Sequence, residues 1–539
     1  MFISMRLAPA TSASLALVGA GGARFLRRHG GLFVVLGLAL AHRIAFFRWW
    51  KAFPGGDTYN FILIAQELLK GSYPVAEKRL PVYPALIALA HTVFDWEGAA
   101  IAVAMIASLV AIALLYFLGR TLGLSNVALV VGLAPFQAVA PFLFQSVRGY
   151  ADTTFIALFL GALLAFLRTR TRRGAIGTGV LFALASLARF EGVFLLALFP
   201  LLALVYWKPR SLMKPALAAA VVCWLPFALL FTRVGRPLLP VEYFADAEAT
   251  PFGVTTLADF SKNYAAIWTS VGVDRLWGEP PRILRDIATL EARAWPARLR
   301  SFFTDPKEFP SLLLLAGIVF LARRHLRRFL LILLPFLFLA VPIAWWGVRQ
   351  RFLVMLYPVL FLVLAAGVQA AIQTVRQVSF RWPRASRAAP MVAGVLLLGL
   401  SLGPWTAHTA AEAREVQQKN LGTDYAYYQA IQAARALPGT IAFEHRSSIV
   451  LALFGEKDEG RAVFAETHLN TPSGQEQWQE LQRWDVRYIV IRGTISEAFP
   501  VLVDPRFADQ FLALGTFEYP QARKKEPSRA TIYEVRDRF

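Results

Sequence analysis

The chain has 539 residues, 57% of them hydrophobic and only 17% charged, and its mean hydropathy is +0.50. Soluble globular chains are about 45–50% apolar and about 25% charged, so the composition excludes a soluble enzyme, a disordered chain and a fibrous protein, and it indicates an integral membrane protein. Lys and Arg total 56 against 35 Asp and Glu, a formal charge of +21, which in a membrane protein reflects basic loops retained in the cytoplasm and not nucleic-acid binding.

Arg24, Arg27 and Arg28 precede an apolar run from Gly31 to about Phe47, the order of a signal peptide's basic and apolar regions. No small-residue cleavage site follows. Arg48-Trp49-Trp50-Lys51 forms an aromatic and basic interfacial belt instead, which predicts an uncleaved first span with a cytoplasmic N-terminus. Further apolar stretches lie at 81–95, 99–118, 126–144, 152–167, 174–188, 192–206, 215–232, 311–321, 329–346, 352–372 and 389–405. Arg168 to Arg173, Lys208 to Lys214, Arg323 to Arg328 and Arg376 to Arg387 read as cytoplasmic loops. The loop 48–80, Asp152, Arg189, the segment 233–310, Arg349 and the tail then become extracytoplasmic. Both loop 48–80 and Asp152 can lie outside only if an even number of crossings separates them, yet three apolar stretches intervene. One of them is therefore incomplete: 81–95, which is short and flanked by Asp95 and Glu97, or 126–144, which Pro135 and Pro141 break.

After about residue 405 the composition turns polar, with short apolar strands such as Thr440–Phe443 and Val486–Ile491 and a helical pattern from Gln475 to Trp484. That alternation predicts a small α/β domain. The single cysteine, Cys223, permits no internal disulfide, so this domain has to be held by packing alone. The expected architecture is a polytopic α-helical membrane protein with about eleven crossings, a membrane domain over 1–405 and an extracytoplasmic α/β domain over 406–539.

Chemistry concentrates in loop 48–80. Pro54-Gly55-Gly56-Asp57-Thr58-Tyr59 is a flexible turn that presents one carboxylate above the bilayer. An amphipathic stretch, Phe61–Leu69, follows as an interfacial helix, and Lys78-Arg79-Leu80-Pro81-Val82-Tyr83-Pro84 leads back into the membrane. On spacing alone Asp57 reads first as a helix N-cap.

Asp57, Tyr59, Ala65 and Leu68-Leu69-Lys70-Gly71, followed by a Tyr-Pro pair opening the next helix, resemble the GT-C superfamily of integral-membrane glycosyltransferases. The branch most similar holds the protein O-mannosyltransferases and the lipid A aminoarabinose transferase. Arg148-Gly149-Tyr150-Ala151-Asp152, the turn Arg189-Phe190-Glu191-Gly192 and Arg349-Gln350-Arg351-Phe352 running toward Tyr357-Pro358 agree with it.

The resemblance implies transfer of a sugar from a polyprenyl-phosphate carrier to a glycan, lipid or protein acceptor at the outer face of a plasma or inner membrane. In that chemistry Asp57 is the catalytic base, and fixed guanidinium groups receive the leaving phosphate. Arg349 and Arg351 come first for that role, with Arg148 and Arg189 in reserve, and Tyr59, Asp152 and Glu191 complete the substrate-binding set. A base opposite the leaving group implies inversion. No cofactor is demanded. The hard oxygens of Asp57 and Asp152 leave room for a divalent metal, whereas His91, His445 and His468 lack zinc-ligand spacing. Structural roles compete at each position: Arg349 and Arg351 as snorkelling interface residues, Arg189 and Glu191 as a solvated turn, Asp152 as a helix cap, and His42 and Arg43 as structural or lipid-phosphate contacts. A flippase for a lipid-linked glycan, needing no base, and a non-catalytic scaffold are the rival functions.

Overall fold

The structure, a computed structural model, describes residues 12–49, 54, 56–74, 79–208, 210–235, 256–268, 308–346, 350–379, 425–444, 447–454, 461–469, 471, 473–493, 496–519 and 528–536. The predicted span at 389–405 and most of the segment 233–310 lie outside the described residues.

Ten helices occupy the first half: α1 Ser12–Trp49, α2 Gly56–Leu69, α3 Val82–Ala90, α4 Trp96–Thr121, α5 Asn126–Ala138, α6 Ala140–Val147, α7 Ala151–Arg168, α8 Arg172–Ala188, α9 Glu191–Tyr206 and α10 Met213–Arg233. They are followed by α11 Leu257–Trp268, α12 Glu308–Trp346, α13 Gln350–Leu353 and α14 Tyr357–Ser379. Six helical segments among the described residues are long and apolar enough to cross a membrane, and a bent pair, α5 with α6, makes a seventh. The expected eleven also takes in 389–405, outside the described residues, and stretches shorter than these. Part of the difference lies in α8 and α9, which are 17 and 16 residues, or about 25 Å each at 1.5 Å per residue, short of an upright crossing of about 30 Å. The stretches 311–321 and 329–346 are the two arms of α12, joined across a break at His325 (φ −140°, ψ 26°) where the basic run Arg323–Arg328 lies.

The parity problem resolves at α3. Nine residues reach only about 13 Å, and α3 stays at the end of the bundle where α4 begins, with the Tyr83 hydroxyl donating to the Ala100 carbonyl (3.0 Å). The α5–α6 pair, bent by 67°, makes the connection from the opposite end. Proline at 135 and the extended backbone of Val139 account for the bend.

Without a hydrophobic drive between helices in lipid, close backbone approach supplies the packing. A Cβ on Gly132 of α5 would strike the backbone of Ala365 in α14, and Gly317 of α12 and Gly367 of α14 leave the same kind of room for one another. The most enclosed span is α7, 78% buried, whereas α10 is only 17% buried and turns its apolar side chains outward.

The polar tail folds into a five-stranded sheet of order β2-β1-β3-β5-β4, with β1 Thr440–Phe443, β2 Ala462–Phe464, β3 Val486–Arg492, β4 Phe511–Tyr519 and β5 Ser528–Val535. The first three strands are parallel, and β5 pairs antiparallel with both β3 and β4. The predicted strands coincide with β1 and β3, and the predicted helix with Gly474–Arg483. Helices Tyr425–Arg435 and Ser448–Phe454 carry the tail onto α2. One apolar cluster joins Tyr59, Ile62 and Tyr83 to Tyr427, Ile431, Ile449 and Phe443. Helix α2 is therefore not the lipid-surface helix expected from its amphipathic pattern. It is sandwiched between the bundle and the α/β tail, because its apolar residues find protein on both sides.

Candidate functional site

The bundle has two chemically different ends. Helices α7 and α9 start in Asp152 and Glu191 and finish beside Arg168 and Tyr206. At the finishing end Arg328 donates to the carbonyl of Thr121 (2.8 Å) and Arg327 to that of Val205 (3.4 Å), while Phe194 of α9 meets Phe338 of α12 (6.5 Å). The second part of α12 thus runs antiparallel to α9 and returns to the acidic end.

Asp57 stands in the first turn of α2. Its Oδ1 accepts from Arg79 Nη2 at 2.6 Å, with the two side chains 31% and 15% exposed. Arg79 also lies over the Phe61 ring (5.4 Å), which fixes the plane of the guanidinium. Next to Asp57, the Thr58 hydroxyl donates to the carbonyls of Arg148 (2.6 Å) and Gly149 (3.3 Å). That contact ties the base of α2 to the α6–α7 turn. The Arg148 guanidinium lies over the Tyr150 ring (5.2 Å), and its buried Nε finds no hydrogen-bond partner among the described residues. The turn is made by Gly149 at φ 73°; a Cβ there would stand 3.0 Å from Thr58 Cγ2 and 3.2 Å from the Ala100 backbone. Gly149→Ala is expected to lower stability by about 1–3 kcal/mol through left-handed strain and overpacking, read as a lower midpoint of thermal unfolding in detergent.

Asp152, Arg189 and Glu191 form one buried ionic cluster. Arg189 Nη1 bonds to Asp152 Oδ1 (2.6 Å), while Nη2 and Nε grip Glu191 Oε1 and Oε2 (2.6 and 3.0 Å). Exposure falls to 10%, 0% and 3% for Arg189, Asp152 and Glu191. The cluster is buried and is not a solvated turn, and it braces the starts of α7 and α9. Phe352 of α13 covers Arg189 at 5.4 Å. Arg351 belongs to α13, but its side chain lies outside the described residues, as does all of Arg349.

Tyr59 is fully buried, and its hydroxyl donates to Glu97 Oε1 (2.7 Å), which ties α2 to α4. Glu97 Oε2 accepts in turn from Tyr428 of the tail (3.0 Å). Burial first, then the nearby Glu97 carboxylate, push the Tyr59 and Tyr428 hydroxyls well above the ordinary value of 10.0, so both remain donors. A phenol raised on folding stabilises fully below its unfolded value, and that stability is lost as pH rises beyond it. The melting midpoint is therefore expected to fall above about pH 10, and the Tyr428→Phe variant, destabilised by about 1–3 kcal/mol through the lost charged hydrogen bond, is expected to fall less steeply.

The sequence reading passed over Arg79 and Glu97 as functional positions. Arg79 had a signal, namely a cation in a loop assigned to the face that Lys and Arg usually avoid. Glu97 had none, since its partners come from residues 59 and 428. A metal fits poorly here. Asp57 and Asp152, the two oxygen donors expected for one, each hold an arginine at 2.6 Å, and no group of three or more His, Cys, Asp or Glu comes together among the described residues.

Among solved structures the fold is similar to that of ArnT from Cupriavidus metallidurans in the apo state, with a TM-score of 0.51 at 13% identity over 97% of this chain and 98% of that chain. ArnT bound to undecaprenyl phosphate gives 0.47 at 12% identity over 97% and 98% of the two chains. The archaeal oligosaccharyltransferase AglB from Archaeoglobus fulgidus, in complex with an inhibitory peptide and a dolichol-phosphate, gives 0.49 at 13% identity over 87% and 70%. No family model and no curated protein matches the sequence. At these identities the likeness is one of fold.

Proposed function

We propose that this chain, which has the fold of the GT-C membrane glycosyltransferases, transfers a sugar from a polyprenyl-phosphate carrier to an acceptor at the extracytoplasmic face of the membrane. The observation that carries the proposal is the Asp57–Arg79 pair: a carboxylate and a guanidinium held side by side where α2 meets the bundle, with the Arg148 backbone carbonyl bonded to the neighbouring Thr58 hydroxyl.

A glycosyl phosphate brings its own leaving group, so the protein has to supply two things. Asp57 takes the proton of the acceptor hydroxyl as the acceptor oxygen forms its bond to the anomeric carbon. The bond from that carbon to the phosphate oxygen breaks, its electron pair leaves with the phosphate, and Arg79 and Arg148 stabilise the charge that develops there. Arg349 and Arg351 are further proposed phosphate ligands. Attack by the acceptor on the face of the sugar opposite the phosphate inverts the anomeric centre. In this reading Asp152, Arg189 and Glu191 position the α7 and α9 ends and do not touch the sugar. The tail, docked on α2, lies on the acceptor side.

The test is a reconstitution of the full chain in liposomes with a panel of radiolabelled polyprenyl-phosphate sugars. Release of the polyprenyl phosphate coupled to labelled acceptor is expected. Movement of intact label between leaflets without cleavage would sink the transferase in favour of a flippase.

A further inference from the structure

At the end of the bundle remote from Asp57, a cavity of about 720 Å³ opens between the α7–α8 link, the end of α9 and the break in α12. Arg170, Lys208, Arg324, Arg327 and Arg328 line it, with no acidic residue among the lining side chains. Arg327 and Arg328 are engaged with carbonyls at the ends of α9 and α4, and Arg170 with the Thr169 carbonyl (3.0 Å). A helix C-terminus offsets at most about half a charge. The cavity therefore keeps a surplus of fixed positive charge.

The floor is Trp207, 2% exposed, with its indole N–H donating to the Phe166 carbonyl (3.1 Å). Below the rim, α9 presents Leu201, Leu204 and Val205 at 60%, 42% and 68% exposure. A cationic cup over an aromatic floor, continuous with an exposed apolar strip, matches a molecule with an anionic head and apolar chains.

We propose that this cavity binds the phosphate of an anionic phospholipid headgroup, with Lys208 and Arg324 as its principal phosphate contacts and the α9 strip as the seat of an acyl chain. Neither Lys208 nor Arg324 is hydrogen-bonded to another helix among the described residues, so both are available and both can be replaced with little cost to the fold. The inference is independent of the chemistry at Asp57.

The test uses the delipidated full chain in a neutral detergent, with binding read by native mass spectrometry and by the shift in thermal unfolding. Phosphatidylglycerol, phosphatidylethanolamine and inorganic phosphate are compared on wild type and on the Lys208→Gln/Arg324→Gln variant. Phosphatidylglycerol is expected to bind wild type preferentially and to lose about fivefold in affinity per charge removed, with phosphatidylethanolamine unaffected. Equal phosphatidylglycerol binding to both proteins would overturn the site. An equal response to inorganic phosphate would overturn the headgroup assignment in favour of a soluble phosphate compound. If the double variant does not fold, Arg170→Gln is read in the same way against an expected loss of about fivefold.

Discussion

Asp57→Asn is expected to lower the turnover of sugar transfer by about 10²–10⁴-fold, the range that a positioned general base contributes. The amide keeps the shape of the side chain and an oxygen for Arg79 to bond, but it cannot take the acceptor proton. The loss should fall on kcat, with KM for the lipid donor near wild type, because a base acts on the transition state and not on the bound ground state. Folding should survive: the pair is partly exposed, at 31% and 15%, and ion pairs of that kind contribute about 0–1 kcal/mol. Arg79→Gln separates the second role. If Arg79 receives the leaving phosphate, the substitution weakens donor binding as well as turnover, and Arg79→Lys restores part of both. Unchanged turnover in Asp57→Asn at matched expression would remove Asp57 as the base.

The second large effect is on stability. Arg189→Gln is expected to cost about 3–5 kcal/mol, because it strips the cation from two carboxylates, Asp152 and Glu191, that are 0% and 3% exposed. Burying an uncompensated charge is far more costly than never having built the pair. The triple variant Arg189→Gln/Asp152→Asn/Glu191→Gln, which removes the charges together, should therefore recover more than half of the lost melting midpoint. A purely local turn would behave otherwise: Arg189→Gln would melt near wild type, and the triple variant would be no better.

How much was legible in advance differs by element. The spans at 99–118, 152–167 and 215–232 emerge as α4, α7 and α10 within a few residues, because about 20 apolar residues in a row have no other low-energy home. The strands at 440–443 and 486–491 were equally plain. The partners of the basic run Arg323–Arg328 were not: carbonyls at 121 and 205, supplied by neighbouring helices, hold two of its side chains. The incomplete stretch could be narrowed to two but not chosen, because hydropathy measures apolar length and not where a helix end is tied.

At the candidate site the sequence by itself determined the parts: one acid in the loop 48–80 beside Gly56, a Gly149 turn between two spans, an Arg189-Phe190-Glu191 link and a folded polar tail. Only the tertiary structure decided their partners. It paired Asp57 with Arg79, turned Tyr59 inward to Glu97 and on to Tyr428, and enclosed Asp152 with Arg189 and Glu191. The reason is physical. Hydropathy and helical periodicity are local sums over neighbours in the chain, whereas the charge state and availability of a carboxylate depend on which guanidinium or hydroxyl is brought within about 3 Å of it, and here most of those groups arrive from tens or hundreds of residues away.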